Sequence, residues 1–312
     1  ADREPGALAT TRADRRRYHL PMIPKSLAAL LLGCLMLGRT AAQTGEIYSA
    51  RETFSEPELG LVQAIQSGDE AAARAKIAAG LDLDRPVAPP AAFDFKRIFG
   101  LSPGQRKLAD ALTPAPYGGR ADETITLLNF FIANNDLPSI RLALKLGADP
   151  NAKGSFYFDS FRFASEFNRA DAMDLLLQAV PYSTMNDEDQ ARRLADLPRI
   201  NTVNHLFSDT EYRLDPALLQ VALKHHANFN LRMSEVGGDT LLTSNMHLSG
   251  CETVLWLLAN TDADPTLATR WHKTVASMTS EWLRGIKPDD RHRKVMLLKI
   301  KDALAGEGIA VD

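Results

Sequence analysis

Apolar residues in this chain come in short blocks at helical spacing, and each block ends in the same kind of turn. Leu142-Ala-Leu-Lys-Leu-Gly-Ala-Asp-Pro-Asn151 is the clearest copy: an apolar helical stretch, a Gly-Ala-Asp turn, then an extended tail. Weaker copies end at Gly80-Leu-Asp-Leu-Asp84, Ala227-Asn-Phe-Asn230 and Asp262-Ala-Asp-Pro265. Gly80 and Gly147 stand 67 residues apart, about two periods of 33, and His226 and Asp262 stand 36 apart. A unit of that size cannot bury its own core, so the pattern predicts stacked helix pairs.

The best-formed unit runs from Thr126 to Asn151. Leu128, Phe130 and Phe131 are expected on the inner side of its first helix. Asn135 takes the turn between helices, where Asn tolerates a left-handed backbone. Ile140, Leu142 and Leu144 are expected to face the stack, and Gly147 ends the second helix. An earlier unit spans Leu61–Gly80 with its turn at Gly68-Asp69 and a thin stripe of Ala72, Ala73, Ala75 and Ile77. Later units are Phe161–Leu177, a distorted one around Ala217–Leu223, and Gly238–Leu242 with Ser249–Leu258. Arg291–Ala305 reads as a closing helix with a basic outer face.

These motifs resemble the ankyrin-repeat family over most of residues 55–285; Thr126-Leu-Leu128 is similar to the Thr-Pro-Leu that opens its first helices, and Gly147-Ala-Asp149 to its hairpin turn. The resemblance implies an all-α ankyrin-repeat solenoid of about five to six degenerate repeats with a C-terminal capping helix. The expected organisation is an upstream extension and signal peptide over 1–42, a linker over 43–54, repeats over 55–285 with insertions at 85–121 and 181–215, and a cap over 286–312. By family geometry, 85–121 and Gly154–Asp159 fall where the hairpin fingers project, and long insertions there imply an elaborated binding edge.

Residues 1–42 are read as a targeting segment. Ser26–Gly38 is an apolar run of 13 residues between Lys25 and Arg39-Thr-Ala-Ala42, the layout of a secretory signal peptide. Translation is expected to start at Met22 and cleavage to follow Ala42; a disordered extension is the other reading of residues 1–21. Leu31-Leu-Gly-Cys34 resembles a lipobox, and acylation of Cys34 would anchor the chain instead. The expected location is the bacterial periplasm.

Composition narrows the function. The 312 residues carry a formal charge of −3, which offers no basic excess for phosphate backbones. Without residues 1–42 there remain 29 Lys and Arg against 36 Asp and Glu, a balance of −7, and Cys251 alone, so no internal disulfide forms. No Gly-x-Ser-x-Gly elbow, phosphate-binding loop or His-Glu-x-x-His motif occurs. His247 and Cys251 are four apart, but two ligands make no structural zinc site, and Ser249-Gly250 interrupts the helix between them. His225-His226 is explained by its place at a helix end. Asp187-Glu-Asp189 and Asp289-Asp290 read as solvated loops.

The expectation is a monomeric, non-catalytic protein-binding module with no cofactor and no metal. Its partner would lie along the concave groove of fingers and first helices. The candidate contact residues are Phe156, Tyr157 and Phe158 on one finger and Phe93, Phe95, Phe99 and Tyr117 on the other, since aromatic anchors dominate interfaces. Phe161, Phe163 and Trp256 read as core; Trp271 and Trp282 as capping or binding. Three roles fit: immunity against a toxic effector delivered into the periplasm, an accessory to an oxidative-stress enzyme, or a lipid-anchored envelope scaffold.

Overall fold

A computed structural model describes residues 49–87, 124–154, 159–197, 216–233, 238–247, 250–287 and 289–312. All of them belong to the compact unit Gln43–Asp312. After the short lead-in helix α1 (Ala50–Thr53) come α2 (Glu58–Gln66) and α3 (Glu70–Ala78), α4 (Leu127–Ala133) and α5 (Leu137–Lys145), α6 (Ser160–Glu166) and α7 (Ala170–Ala179). The chain continues through α8 (Asp187–Asp196), α9 (Ala217–Lys224), α10 (Leu241–His247), α11 (Cys251–Asn260), α12 (Val275–Gly285) and α13 (Arg291–Gly306).

Two recurrent turns make these helices pair. Between the helices of a pair, a left-handed residue lets one amide reach back five positions. Asp69, Asp136 and Arg169 donate to the carbonyls of Ala64, Phe131 and Ala164 at 2.9, 2.9 and 2.8 Å. The left-handed residues are Gly68, Asn135 and Asn168, with φ of 73, 54 and 50°. The next residue then starts the second helix: the Asp69 and Asp136 side chains accept from Ala72 and Ser139 and satisfy free amides. At the end of the second helix the same geometry returns. Leu81, Ala148, Ala227 and Ile309 donate to Lys76, Ala143, Ala222 and Leu304, closing Schellman motifs around Gly80, Gly147, His226 and Gly308.

The pairs stack. First helices α4, α6, α8, α10 and α12 pack in sequence, and so do second helices α5, α7 and α9. α13 packs on both α11 and α12. It is therefore the second helix of a sixth pair. The architecture is the all-α ankyrin-type solenoid implied by the sequence. Among the described residues the only β pairing is two isolated bridges, Val87 with Ile125 and Met233 with Asp239. No helix among them is long and apolar enough to cross a membrane.

The fourth pair departs from the pattern. The span 181–215, expected to be an insertion, contains α8, which takes the place of a regular first helix. Residues 198–215, between α8 and its partner α9, lie outside the described part. Asp187, Glu188 and Asp189 form the exposed first turn of α8, where negative charge suits the helix dipole. Asp290 likewise caps α13, accepting from the Arg293 amide. Both runs were expected in solvated loops; each instead marks a helix start.

The core is continuous from Phe54 to Leu304. Every residue of α4 is buried, and Phe54 meets Phe130 edge-on at 5.0 Å. Phe161 and Phe163 are buried as expected, and Trp256 packs against the core from a half-buried position. On α5 the burial differs from the expectation. Ile140 and Ala143 are fully buried, while Leu142 and Leu144 only lean on the core. We expect Ile140→Ala to cost roughly 2–5 kcal/mol in denaturant unfolding and Leu144→Ala distinctly less; equal costs would contradict this packing.

Candidate partner-binding edge

The tails that follow the second helices share one local motif. In each, a side-chain oxygen accepts the amide two residues on: Asp82 from Asp84, Asp149 from Asn151, Asn228 from Asn230, and Asp264 from Thr266, at 2.8 to 3.0 Å. The second residue of the motif then reaches the next tail. Asp84 Oδ1 accepts from the Asp149 amide at 2.8 Å, and Asn230 Oδ1 from the Asp264 amide at 2.6 Å. These contacts set the spacing of neighbouring fingers.

The third tail, Ala179-Val-Pro-Tyr182, has neither the Gly nor the Asp. It forms a 3-10 turn over Tyr182–Thr184 instead. Side chains of α8 fill both vacant ladder positions. Arg193 donates to Asn151 Oδ1, and Gln190 Oε1 accepts the Asn228 amide at 2.6 Å. Arg193 is buried, pairs with buried Asp159 at 3.2 Å, and lies 3.7 Å over the Phe161 ring. Burial pushes the guanidinium pKa down and the Asp159 charge opposes that. Burial also pushes the Tyr182 hydroxyl up. Asp159 additionally caps α6, accepting from the Arg162 amide at 3.0 Å.

Beside this junction is a small polar depression lined by Asp159, Arg162, Met173, Arg192, Arg193 and Asp196. Its guanidinium and carboxylate groups offset one another, and no Ser, Cys or His lines it. Among the described residues no group of three His, Cys, Asp or Glu is placed to hold a metal ion. Cys251 is buried at the start of α11, and burial pushes its thiol pKa up. His226 occupies the left-handed position after α9, and His225 Nε2 sits 2.7 Å from Asp174 Oδ1 on α7. Those are joints between pairs.

Phe156, Tyr157 and Phe158 lie outside the described residues, as do Phe93, Phe95, Phe99 and Tyr117. The bases of their fingers are described. Val87 and Ile125 exchange amide and carbonyl at 2.9 and 3.0 Å, so the segment between them begins and ends at one point. Gly154 sits against that point: a Cβ there would come within 2.1 Å of the Thr124 carbonyl oxygen. The bases of the two expected fingers therefore touch. Two later fingers are described more fully. One is pinned by Arg232, which donates to the carbonyls of Gly238 (3.0 Å) and Ala268.

The other supplies a residue that sequence reading did not single out as a finger anchor. Thr269 accepts the His272 amide on its carbonyl and donates its own amide to the Lys273 carbonyl, at 3.0 and 2.8 Å. Its hydroxyl accepts the Trp271 amide at 3.2 Å. His272 takes the left-handed corner at φ 58°. This tight turn presents Trp271, 54% exposed, with the Arg270 guanidinium 4.2 Å over its ring. It is the one exposed large aromatic among the described residues. By contrast the described residues of the first helices α4, α6 and α10 are almost all buried.

No family model and no curated relative matches the chain. Solved ankyrin-repeat structures do. An ankyrin repeat protein is 15% identical, with 79% of this chain and 96% of that one covered and a TM-score of 0.42. An ankyrin repeat domain from Acinetobacter baumannii AYE is 15% identical over 78% and 98%, TM-score 0.44. The ankyrin repeat domain of Bcl-3, a member of the IkappaB protein family, is 17% identical over 77% and 97%, TM-score 0.34. The fold is an ankyrin-type stack. That assignment rests on the repeated turns and tails described above.

Two substitutions test the ladder. Partial burial pushes the Asp84 carboxyl pKa up, against the opposing bond from the Asp149 amide. A raised carboxylate pKa means stability is fullest below the unfolded value and falls as pH rises through the folded one. Asp84→Asn keeps the acceptor without the charge. It should raise the melting temperature at pH 7 and lose that advantage in acid; a destabilised variant at pH 7 contradicts the reading. Asp159→Ala leaves Arg193 buried without its countercharge and should cost about 3–5 kcal/mol in urea unfolding.

Proposed function

We propose that this chain is a non-catalytic protein-recognition module that grips its partner with its fingers. The observation carrying this reading is Trp271, held exposed at the tip of a tight, hydrogen-bonded turn. More than half of its surface stays accessible to a partner, and Trp is among the residues most enriched at binding hot spots. The touching finger bases at Thr124 and Gly154 support an extended contact surface that includes Tyr157 and the aromatics of the first finger.

The narrower role we propose is neutralisation of a toxic effector in the bacterial periplasm, with export directed by a signal peptide within residues 1–42 that starts at Met22. The support is the apolar run behind Lys25 and the acidic balance of the remaining chain. An accessory role beside a stress enzyme, or anchoring through Cys34, would use the same finger surface.

The test is co-expression with the product of the toxin gene adjoining this chain's own gene. A complex should form and cells should be protected. Trp271→Ala and Tyr157→Ala should each weaken the complex by about tenfold or more with melting temperatures unchanged. Failure of any complex removes the immunity role; a complex indifferent to both substitutions removes the finger surface.

A further inference from the structure

The last helix carries a second surface that the stack leaves open. α13 buries Met296, Leu297, Ile300 and Leu304 against α11 and α12. Its other side presents Arg291, Lys294, Val295, Leu298, Lys299 and Asp302, all exposed. Spacings of three and four link them (291, 294, 298, 302 and 291, 295, 299, 302), so they share one face. At 100° per residue, Val295 and Leu298 straddle the midline of that face between Arg291 at one end and Asp302 at the other, with Lys294 on one flank and Lys299 on the other. Val295 is 50% and Leu298 41% exposed, which makes them two of the four large apolar side chains left in water among the described residues.

The local charge is opposite to that of the chain. From Arg284 to Lys301 there are seven basic residues and two acidic ones, in a chain of net charge −3. Two of the seven are engaged internally: Arg293 stacks 4.4 Å from the Trp282 ring, and Lys301 binds the Val311 carbonyl at 2.8 Å. Among the described residues Arg291, Lys294 and Lys299 hold no such partner. The carboxyl-side segment does not cover the face either. It is drawn to the opposite side of α13, where Ser280 binds the Asp312 carbonyl and Lys301 that of Val311, and Ile309 and Val311 lean on the core.

We infer that this face of α13 is a docking site for an acidic amphipathic helix of a partner protein, laid along α13. Val295 and Leu298 take the partner's apolar stripe, and Lys294 and Lys299 take carboxylates on either side of it. Two aliphatic side chains without an aromatic are too little for insertion into a bilayer, so a protein helix fits the face better than a lipid surface does. The inference does not rest on the fingers.

The experiment uses the full chain and a fluorescein-labelled 18-residue probe peptide, an amphipathic helix with Leu along one face and Glu on both flanks. Fluorescence anisotropy should show saturable binding that weakens as salt rises. Val295→Ser with Leu298→Ser should weaken it about tenfold or more. Lys294→Glu with Lys299→Glu should abolish it, and circular dichroism melts should stay unchanged because all four side chains are exposed. The inference is overturned if the peptide does not bind, or if a Lys-flanked version binds equally well. It is also overturned if the substitutions act only on binding to phosphatidylglycerol vesicles or on self-association of the chain.

Discussion

Neighbouring pairs in this stack are joined by hydrogen bonds that run from the tail of one to the tail of the next. The amide of Asp149 has its partner on Asp84, 65 residues earlier, and the amide of Asp264 has its partner on Asn230. Each bond fixes one backbone position against another, so these bonds tie the register of one unit to the next. Apolar packing between helices fixes that units stack. The ladder along the tails fixes how far apart their fingers stand. Ion pairs such as Lys145 with Glu70, at 2.5 Å between second helices, are exposed and add little by comparison.

The third tail shows how the constraint is met when its usual residues are missing. Without a Gly-Ala-Asp turn after α7, neither Asn151 nor the Asn228 amide has a tail to bond. Arg193 and Gln190 stand one helical turn apart on α8 and serve the two positions from a single helix. The solution brings a charge into the interior. Asp159 neutralises it, and the Phe161 ring covers it. A first helix that also acts as a joint cannot shift without loosening both of its neighbours.

How much of this was legible in the sequence depends on the range of each interaction. Gly68, Asn135 and Gly147 mark their turns because a left-handed backbone is a local requirement with a short list of residues. The helix pairs followed from those marks. The inner helix α8 was not legible. Its buried side includes Gln190, Arg193 and Asp196, whose polarity reads as solvent exposure until distant partners come into view. Leu142 and Leu144 looked equivalent to Ile140, since helical periodicity gives a face and not a depth. Trp271 was visible as a residue but not as a tip: the turn that lifts it depends on the hydroxyl and backbone of Thr269, and no composition rule singles out that threonine.

The bridge between Val87 and Ile125 gives the architecture room to vary. Both ends of the intervening stretch are fastened at the same place, and closing a loop at such a base costs only about 0.6 kcal/mol more for each doubling of its length. Descendants of this chain could lengthen, shorten or exchange that stretch while the pile of helices beneath stayed put. Innovation in such a lineage would gather at one stitched seam.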